Sequence, residues 1–226
     1  CFFLVGIAAV AMMIGWRTHW SIFICWFHTR AIHLRSSGTA QAGDQFLRLV
    51  LFWMMFLPCE QVYSLDSWSS HVPVQESNSS CSLATFGVMV QVVMVYQFSS
   101  MFKVHEKWTS GSAVYYVLQN FGFAYGPVAE HLLEIPRACL SALTYGTLMI
   151  ETTCPLFMFL TPQVRGVGVL VFITFHTGLY CSMRLGSFPL ICIAAWVLMV
   201  PSSVWDGQLA RFHEDPTIQF PNDVSW

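Results

Sequence analysis

Long apolar runs return along almost the whole chain, and they constrain the fold more than any other feature. Only 10% of the 226 residues are charged and 55% are hydrophobic, whereas soluble domains carry roughly 25% charged residues. A water-soluble fold of this length could not bury so much apolar surface. We therefore expect an all-α integral membrane protein, a polytopic helix bundle. The apolar runs occupy residues 1–15, 20–34, 45–58, 83–102, 138–160, 167–183 and 187–200.

The lengths of these runs predict about six or seven membrane helices, since one span needs about 20 apolar residues. The runs at 83–102 and 138–160 are long enough, and the run at 167–183 is close to the limit. The shorter runs fit helices that are tilted or broken. We expect a multi-pass membrane domain over residues 1–200, in a membrane that the sequence does not identify.

The positions of Lys and Arg predict which connections face the cytoplasm or its equivalent. Three arginines surround the connection at 35–44, and two lysines follow the run that ends at 102. The loop at 59–80 has neither Lys nor Arg. We expect 35–44 and 103–112 on the cytoplasmic side and 59–80 on the opposite side.

The loop at 59–80 carries two features that suit a secretory compartment. An Asn-Ser-Ser sequon begins at Asn78, which is the predicted glycosylation site. Cys59 and Cys81 bracket the loop, and an oxidising compartment would permit a disulfide between them. Two free thiols at helix ends are the other interpretation.

Two segments differ in composition from the predicted spans. Residues 111–136 are half apolar and rich in aromatic residues, with glycines and prolines that stop one continuous helix. They predict short interfacial or re-entrant helices. Residues 201–226 are acidic and predict an extramembrane tail.

Asp44 and Arg48 stand four residues apart near the start of a predicted helix. An acid followed by a base one turn later is a favourable helical pair, and the acid suits the helix N-terminus. We interpret Asp44 and Arg48 as a structural ion pair.

Lys103 follows an apolar run and has two interpretations. A lysine at a helix end extends towards water while tryptophan occupies the membrane interface, and Lys107 and Trp108 fit that arrangement. Alternatively, a lysine shielded from water acts as a base through its neutral amine. The residues alone leave both interpretations open.

Two ionisable residues lie in the middle of predicted spans. Glu151 has mostly apolar sequence on both sides, so its carboxyl group must find a partner or stay protonated. His176 could be a hydrogen-bonded core residue, a proton-relay group, or an axial ligand of haem or a chlorophyll-like pigment. His28 is a second candidate cofactor ligand.

Metal-binding and nucleic-acid-binding functions lack support. None of the eight cysteines forms a C-x-x-C pair, so we expect no metal site. The net charge of −2 offers no basic excess for nucleic acid.

Three stretches that cover about residues 28–200 carry an ordered series of short motifs. The first has His and Arg before a gap, then Gly-Asp, Leu-Arg, an apolar helix ending in Pro, and Ser-x-Asp. The second is an apolar helix that runs into a lysine with Trp five residues later, and the third has an acid, an Arg, Phe-His and Gly-x-Phe. They read IHLRSSGTAQAGDQFLRLVLFWMMFLP followed by YSLD, then VYQFSSMFKVHEKWTSGSAVYYVL, then LMIETTCPLFMFLTPQVRGVGVLVFITFHTGLYCSMRLGSFPLICI. In this order the stretches resemble the HTTM family, which is typified by vitamin K-dependent gamma-carboxylase.

The resemblance implies a role for Lys103. It falls where the carboxylase keeps the lysine regarded as its catalytic base, which would deprotonate vitamin K hydroquinone. Glu60 and Gln61 stand where the carboxylase has Asn-His. The sequence also ends without the large lumenal domain of the carboxylase, so we expect a short, non-carboxylase member.

Two functions from different classes remain open. The chain could be a membrane enzyme acting on a quinone or isoprenoid lipid, with Lys103 as candidate base and Glu151 and His176 as polar neighbours. It could instead be a non-catalytic accessory subunit or scaffold of a larger membrane complex, with a pigment or haem bound at His176 or His28. The expected partners are the lipid bilayer and other membrane subunits. A transporter is less favoured because the sequence has no repeated halves.

Overall fold

Most of the part of the chain that the computed structural model describes is helical. That part forms eleven α-helices and one short 3₁₀-helix, with a single isolated bridge between Ala124 and Met183. The all-α prediction is confirmed. The chain divides into two compact units, residues 1–88 with 202–226, and residues 89–201. The described residues are 2–35, 38, 41–60, 64–70 and 82–205.

The first unit contains four helices that follow the apolar runs. They are α1 (Phe2–Ile14), α2 (Thr18–Arg35), α3 (Ala42–Met54) and α4 (Leu65–Ser70). Helix α2 packs against both α1 and α3. Ala8, Ile22, Cys25 and Leu51 are the buried residues of this contact, and they come from all three helices.

The turn between α1 and α2 is held by Asp66 of α4. One carboxylate oxygen accepts the backbone N–H of Arg17 at 2.8 Å, and the other accepts the N–H and hydroxyl of Thr18 at 2.8 and 2.9 Å. The N–H of Asp66 donates to the carbonyl of Gly15 at 3.0 Å. Asp66, the acid of the Ser-x-Asp element, therefore satisfies N–H groups that the start of a helix leaves free.

Asp44 has a partner that differs from the expected one. Its Oδ2 accepts the backbone N–H of Gln41 at 3.0 Å, and Arg48 is not its ion partner in the described part of the chain. A carboxylate in the first turn lies close to the free N–H groups of the helix start, so it accepts a hydrogen bond from the backbone. Asp44 fixes the start of α3 instead of pairing with Arg48.

Helix α5 (Leu83–Met101) runs from the first unit into the second. The second unit continues with α6 (Glu106–Thr109), α7 (Ala113–Gln119), α8 (Gly126–Glu134), α9 (Arg137–Thr153), a 3₁₀-helix (Cys154–Phe159), α10 (Pro162–Ser182) and α11 (Phe188–Val197). Prolines stand at the first or second position of α8, α10 and α11, where a missing N–H removes no helical hydrogen bond.

The length of the apolar run at 138–160 predicts one continuous helix, but the structure shows a break within it. Helix α9 ends at Thr153, and the 3₁₀-helix follows. Pro155 explains the break, because proline cannot donate the backbone hydrogen bond and its ring clashes with the preceding turn.

Two helices in the described part are long and apolar enough to cross a membrane, namely α5 and α10. Only 22% of the most apolar window of each is buried, so most of this apolar surface faces outwards. The apolar helices α1 and α11 are shorter. The predicted number of six or seven spans is thus not confirmed by helix length.

The segment predicted to be interfacial contains the two short helices α7 and α8. Gly126 begins α8 with a φ angle of +74°, a conformation that glycine adopts without strain. Phe121, between the two helices, is 94% exposed. The predicted acidic tail lies outside the described residues from 206 onwards.

Candidate functional site

Lys103 lies just beyond α5 and turns back over the last turns of that helix. Its backbone N–H donates to the carbonyl of Ser100 at 3.0 Å. Its Nζ donates to Ser99 Oγ at 3.0 Å and to Oε2 of Glu151. Only 18% of the Lys103 side chain is exposed. Lys103 is therefore held by side chains and does not extend freely from a helix end.

Glu151, near the end of α9, obtains the partner that its apolar sequence surroundings require. Its side chain is 9% exposed and pairs with the Lys103 ammonium. Ser99 Oγ accepts a hydrogen bond from Lys103 and donates one to Glu151 Oε2 at 3.2 Å. The three side chains form a closed triangle in which two opposite charges and one hydroxyl are mutually satisfied. We call these residues the Lys103 site.

Trp108 covers the Lys103 site from α6. Lys103 Nζ lies 5.1 Å from the centre of the Trp108 ring, a cation–π contact. Lys107 instead lies 4.5 Å from the ring of Tyr116. Lys103 and Lys107 do not lie on one helix, because the chain leaves α5 at Met101 and begins a new helix at Glu106.

His176 on α10 is buried, with 1% of its surface exposed, and both of its ring nitrogens are engaged. Nδ1 lies 2.9 Å from the carbonyl oxygen of Phe172. A carbonyl only accepts, so Nδ1 carries the hydrogen and Nε2 accepts from the Tyr96 hydroxyl at 3.3 Å. Trp196 Nε1 donates to the same hydroxyl oxygen at 2.9 Å. His176 has the geometry of a hydrogen-bonded core residue.

Aromatic stacking fixes the position of this histidine. The Phe172 and Trp196 rings stack with centres 4.0 Å apart and planes 9° from parallel. The Tyr96 ring lies 4.5 Å from Phe172 and 5.6 Å from Trp196. A haem or pigment ligated at His176 would have to displace this packing and the Tyr96 hydrogen bond.

Sequence reasoning missed Tyr96, Ser99 and Trp196 as members of these networks. Tyr96, Ser99 and Lys103 follow at intervals of three and four residues, the spacing of one helix face. That periodicity could have linked Tyr96 and Ser99 to Lys103. Trp196 carries no comparable signal, because its polar contact depends on how α11 packs.

His28 of α2 differs from His176. Its Nε2 is buried and has no hydrogen-bond partner in the described part of the chain. The ring of Phe2 meets the imidazole edge-on, with centres 5.5 Å apart. An unsatisfied buried nitrogen is the feature that a ligand-binding histidine would have.

The loop residues predicted to carry modifications are only partly described. Cys59 Sγ lies 3.7 Å from the carbonyl oxygen of Met54, and burial together with the adjacent Glu60 carboxylate raises the pKa of its thiol. Glu60 Oε2 lies 3.2 Å from Nδ1 of His19. Cys81 and Asn78 lie outside the described residues.

A cluster suited to a metal ion does not occur among the described residues, since no three His, Cys, Asp or Glu side chains come together there.

Comparison with protein families gives one match. The family model described as HTTM domain matches residues 1–205, which is most of the chain. Neither the curated proteins nor the solved structures give a significant match.

Proposed function

Since the chain belongs to the HTTM domain family, we propose that it is a membrane enzyme that removes a proton from a weakly acidic lipid at the Lys103 site. A hydroquinone with an isoprenoid tail is the substrate class that fits best. The observation that carries the proposal is the ion pair of Lys103 and Glu151, largely shielded from solvent next to a helix long enough to cross a membrane.

The composition of the Lys103 site favours a neutral substrate. Lys103 and Glu151 neutralise each other, so an anionic headgroup would bring an uncompensated charge into a region of low polarity. A hydroxyl group of a hydroquinone carries no charge before it reacts. It also carries the proton that a buried acid–base pair is suited to accept.

The proposal does not extend to carboxylation of glutamate. Glu60 and Gln61 occupy the positions where the carboxylase has Asn-His, and Glu60 lies beside His19. The proposed chemistry stops at proton removal, and a non-carboxylase member of the family is the closest description.

We further propose that the chain crosses the membrane about six or seven times, with 111–136 as an interfacial segment and 201–226 outside the membrane domain. Support comes from the apolar helices α1 and α11, which add to the two longer ones. Cysteines introduced into single connections and labelled with an impermeant reagent would test this topology. The connections at 35–44 and 103–112 should be labelled from the same side.

A second candidate function is a non-catalytic subunit of a larger membrane complex. His28 favours it, because its buried Nε2 has no hydrogen-bond partner in the described residues and could ligate a haem or pigment. His176 does not fit such a group, since both its nitrogens are engaged. A pigment bound at His28 would give visible absorbance that is lost in His28→Ala.

The two functions are separated by purification in mild detergent, followed by mass spectrometry of all co-migrating species. A small particle that retains a quinone or isoprenoid lipid supports the enzyme, and the lipid should be lost in Lys103→Ala. Lys107→Ala is the matched control, because Lys107 is a nearby lysine on an aromatic ring outside the Lys103 site. Stable residence in a large assembly, with no lipid dependent on Lys103, would overturn the enzyme proposal.

A further inference from the structure

The Lys103 site divides its chemical roles between two residues. Building on the proposed function, we propose that Glu151 is the proton acceptor and that Lys103 stays a charged ammonium that stabilises the anion left on the substrate. Ser99 and Trp108 are positioning residues that hold the ammonium in place. The resemblance to the carboxylase had implied the opposite assignment, with Lys103 as the base.

The surroundings of Lys103 favour its charged form. An ammonium has three N–H groups and no acceptor. One is directed to Ser99 Oγ at 3.0 Å, another to Glu151 Oε2, and the Trp108 ring lies 5.1 Å away. All three contacts are stronger with a cation than with a neutral amine. The hydroxyl hydrogen of Ser99 points to Glu151, so it is not available to the lone pair of a neutral amine.

The surroundings of Glu151 leave one oxygen available. Both hydrogen bonds from Ser99 and Lys103 reach Oε2. Oε1 accepts no hydrogen bond from the described residues. A carboxylate has roughly four lone-pair positions on its two oxygens, so Oε1 can accept the O–H of a substrate while Oε2 stays bound.

The proposed step balances in atoms and charge. The O–H bond of the substrate breaks, its proton moves to Oε1 of Glu151, and the electron pair stays on the substrate oxygen. Before the step, the positive Lys103 faces the negative Glu151. After it, the same ammonium faces the substrate anion, and Glu151 is neutral. Because the net charge of the site does not change, the step suits neutral phenols, enols and hydroquinones.

A lipophilic naphthol provides the test, because its anion absorbs light at longer wavelength than the neutral form. Wild type and variants are reconstituted in lipid nanodiscs, and the fraction of bound naphthol present as anion is measured against pH. Lys103→Arg keeps the positive charge but cannot serve as the base, so it should lower the anion fraction less than Glu151→Gln does. Glu151→Gln should lower it at least tenfold. Lys107→Arg is the matched control and should change nothing.

The positioning residues are tested by the same pH profile. Ser99→Ala and Trp108→Leu should still bind naphthol, but anion formation should require a higher pH than in wild type. A profile unchanged in both variants would overturn their positioning role.

The outcomes separate this inference from the proposed function. Loss of the anion in Lys103→Arg with retention in Glu151→Gln would overturn the inference and leave Lys103 as the base of a working enzyme. If wild type binds naphthol without forming the anion, or binds none, the proposed function itself fails. If Glu151→Gln does not elute as a single species, Glu151→Asp is tested instead. Its side chain is one methylene shorter, so the carboxylate lies further from the substrate. An anion fraction in Glu151→Asp equal to wild type would also overturn the inference.

Discussion

Lys103 and Glu151 bind each other although 48 residues separate them in the chain. The pair joins the residues that follow α5 to the last turn of α9, so it links these two helices. Ser99 contacts both partners and makes the arrangement a triangle. The pair therefore has a structural role in addition to its proposed chemistry, and the two roles predict different effects of substitution.

Removing one partner of the Lys103–Glu151 pair should destabilise the protein more than replacing both partners with apolar residues. Loss of one partner from a shielded ion pair leaves a charge without compensation, which costs about 3–5 kcal/mol when the pair is fully buried. Because Lys103 keeps some solvent contact, we expect Lys103→Ala or Glu151→Ala to cost about 3 kcal/mol.

Thermal unfolding in detergent provides the measurement, with Lys107→Ala as the control for loss of a nearby lysine. The double variant Lys103→Met with Glu151→Leu should regain at least half of the lost stability, since no unpaired charge remains. A double variant as unstable as the sum of the single ones would contradict this interpretation.

The hydroxyl of Tyr96 should stabilise the core around His176. Tyr96→Phe removes the acceptor for Trp196 Nε1 and the donor to His176 Nε2, which leaves two buried polar atoms unsatisfied. We expect a loss of about 1–3 kcal/mol in the free energy of unfolding. Tyr145→Phe is the matched control, because Tyr145 is 48% exposed and donates one hydrogen bond, to the carbonyl of Thr109. Equal effects of the two variants would show that the His176 network contributes little.

The helices and the family could be predicted from the sequence, because apolar runs and short motifs can each be recognised within one segment of the chain. Apolar runs predicted an all-α chain, and the ordered motifs predicted the HTTM family that the family model matches. The apolar location of Glu151 also predicted that its carboxyl would need a partner. Which partner it finds depends on how α5 and α9 pack, and a single sequence does not contain that information.

The departures from expectation have specific physical causes. Hydropathy alone predicts one span over 138–160, but Pro155 prevents a continuous α-helix. Side-chain spacing predicts a pair of Asp44 and Arg48, but the Asp44 carboxylate accepts the backbone N–H of Gln41 at the helix start. Hydropathy does not distinguish a core histidine from a ligand-binding one at His176. The hydrogen bond from Tyr96 on another helix identifies it as a core residue.

Acid should weaken the first unit through Asp66. Burial works to raise the pKa of this carboxyl, but hydrogen bonds from the backbone of Thr18 and Arg17 and from the Thr18 hydroxyl bind the charged form, so its pKa is lowered overall. A lowered folded-state pKa stabilises the fold above the unfolded value of about 3.9. That contribution is lost as the pH falls through the folded-state pKa.

The melting temperature of wild type, measured from pH 7 down to pH 3, should therefore fall more than that of Asp66→Asn, whose side chain does not titrate. Glu134→Gln is the control, because the Glu134 side chain is 77% exposed. Parallel curves for wild type and Asp66→Asn would show that Asp66 does not contribute to the acid sensitivity.

Two glycines of the α1 region should respond in opposite ways to alanine. Gly15 has a φ angle of +67°, and a Cβ there would overlap Ser64 at both its Cα and Cβ. Gly15→Ala should thus force α4 away from the α1–α2 turn, together with the Asp66 hydrogen bonds, and we expect a loss of about 2 kcal/mol or more. Gly6 lies inside α1, and apart from its chain neighbours and the backbone of its own helix, none of the described residues has an atom within 4 Å of the position that an alanine Cβ would take. Gly6→Ala should therefore stabilise the helix by up to about 1 kcal/mol. Thermal unfolding of the two variants side by side checks both signs, and a Gly15→Ala protein as stable as wild type would show that the turn tolerates a side chain.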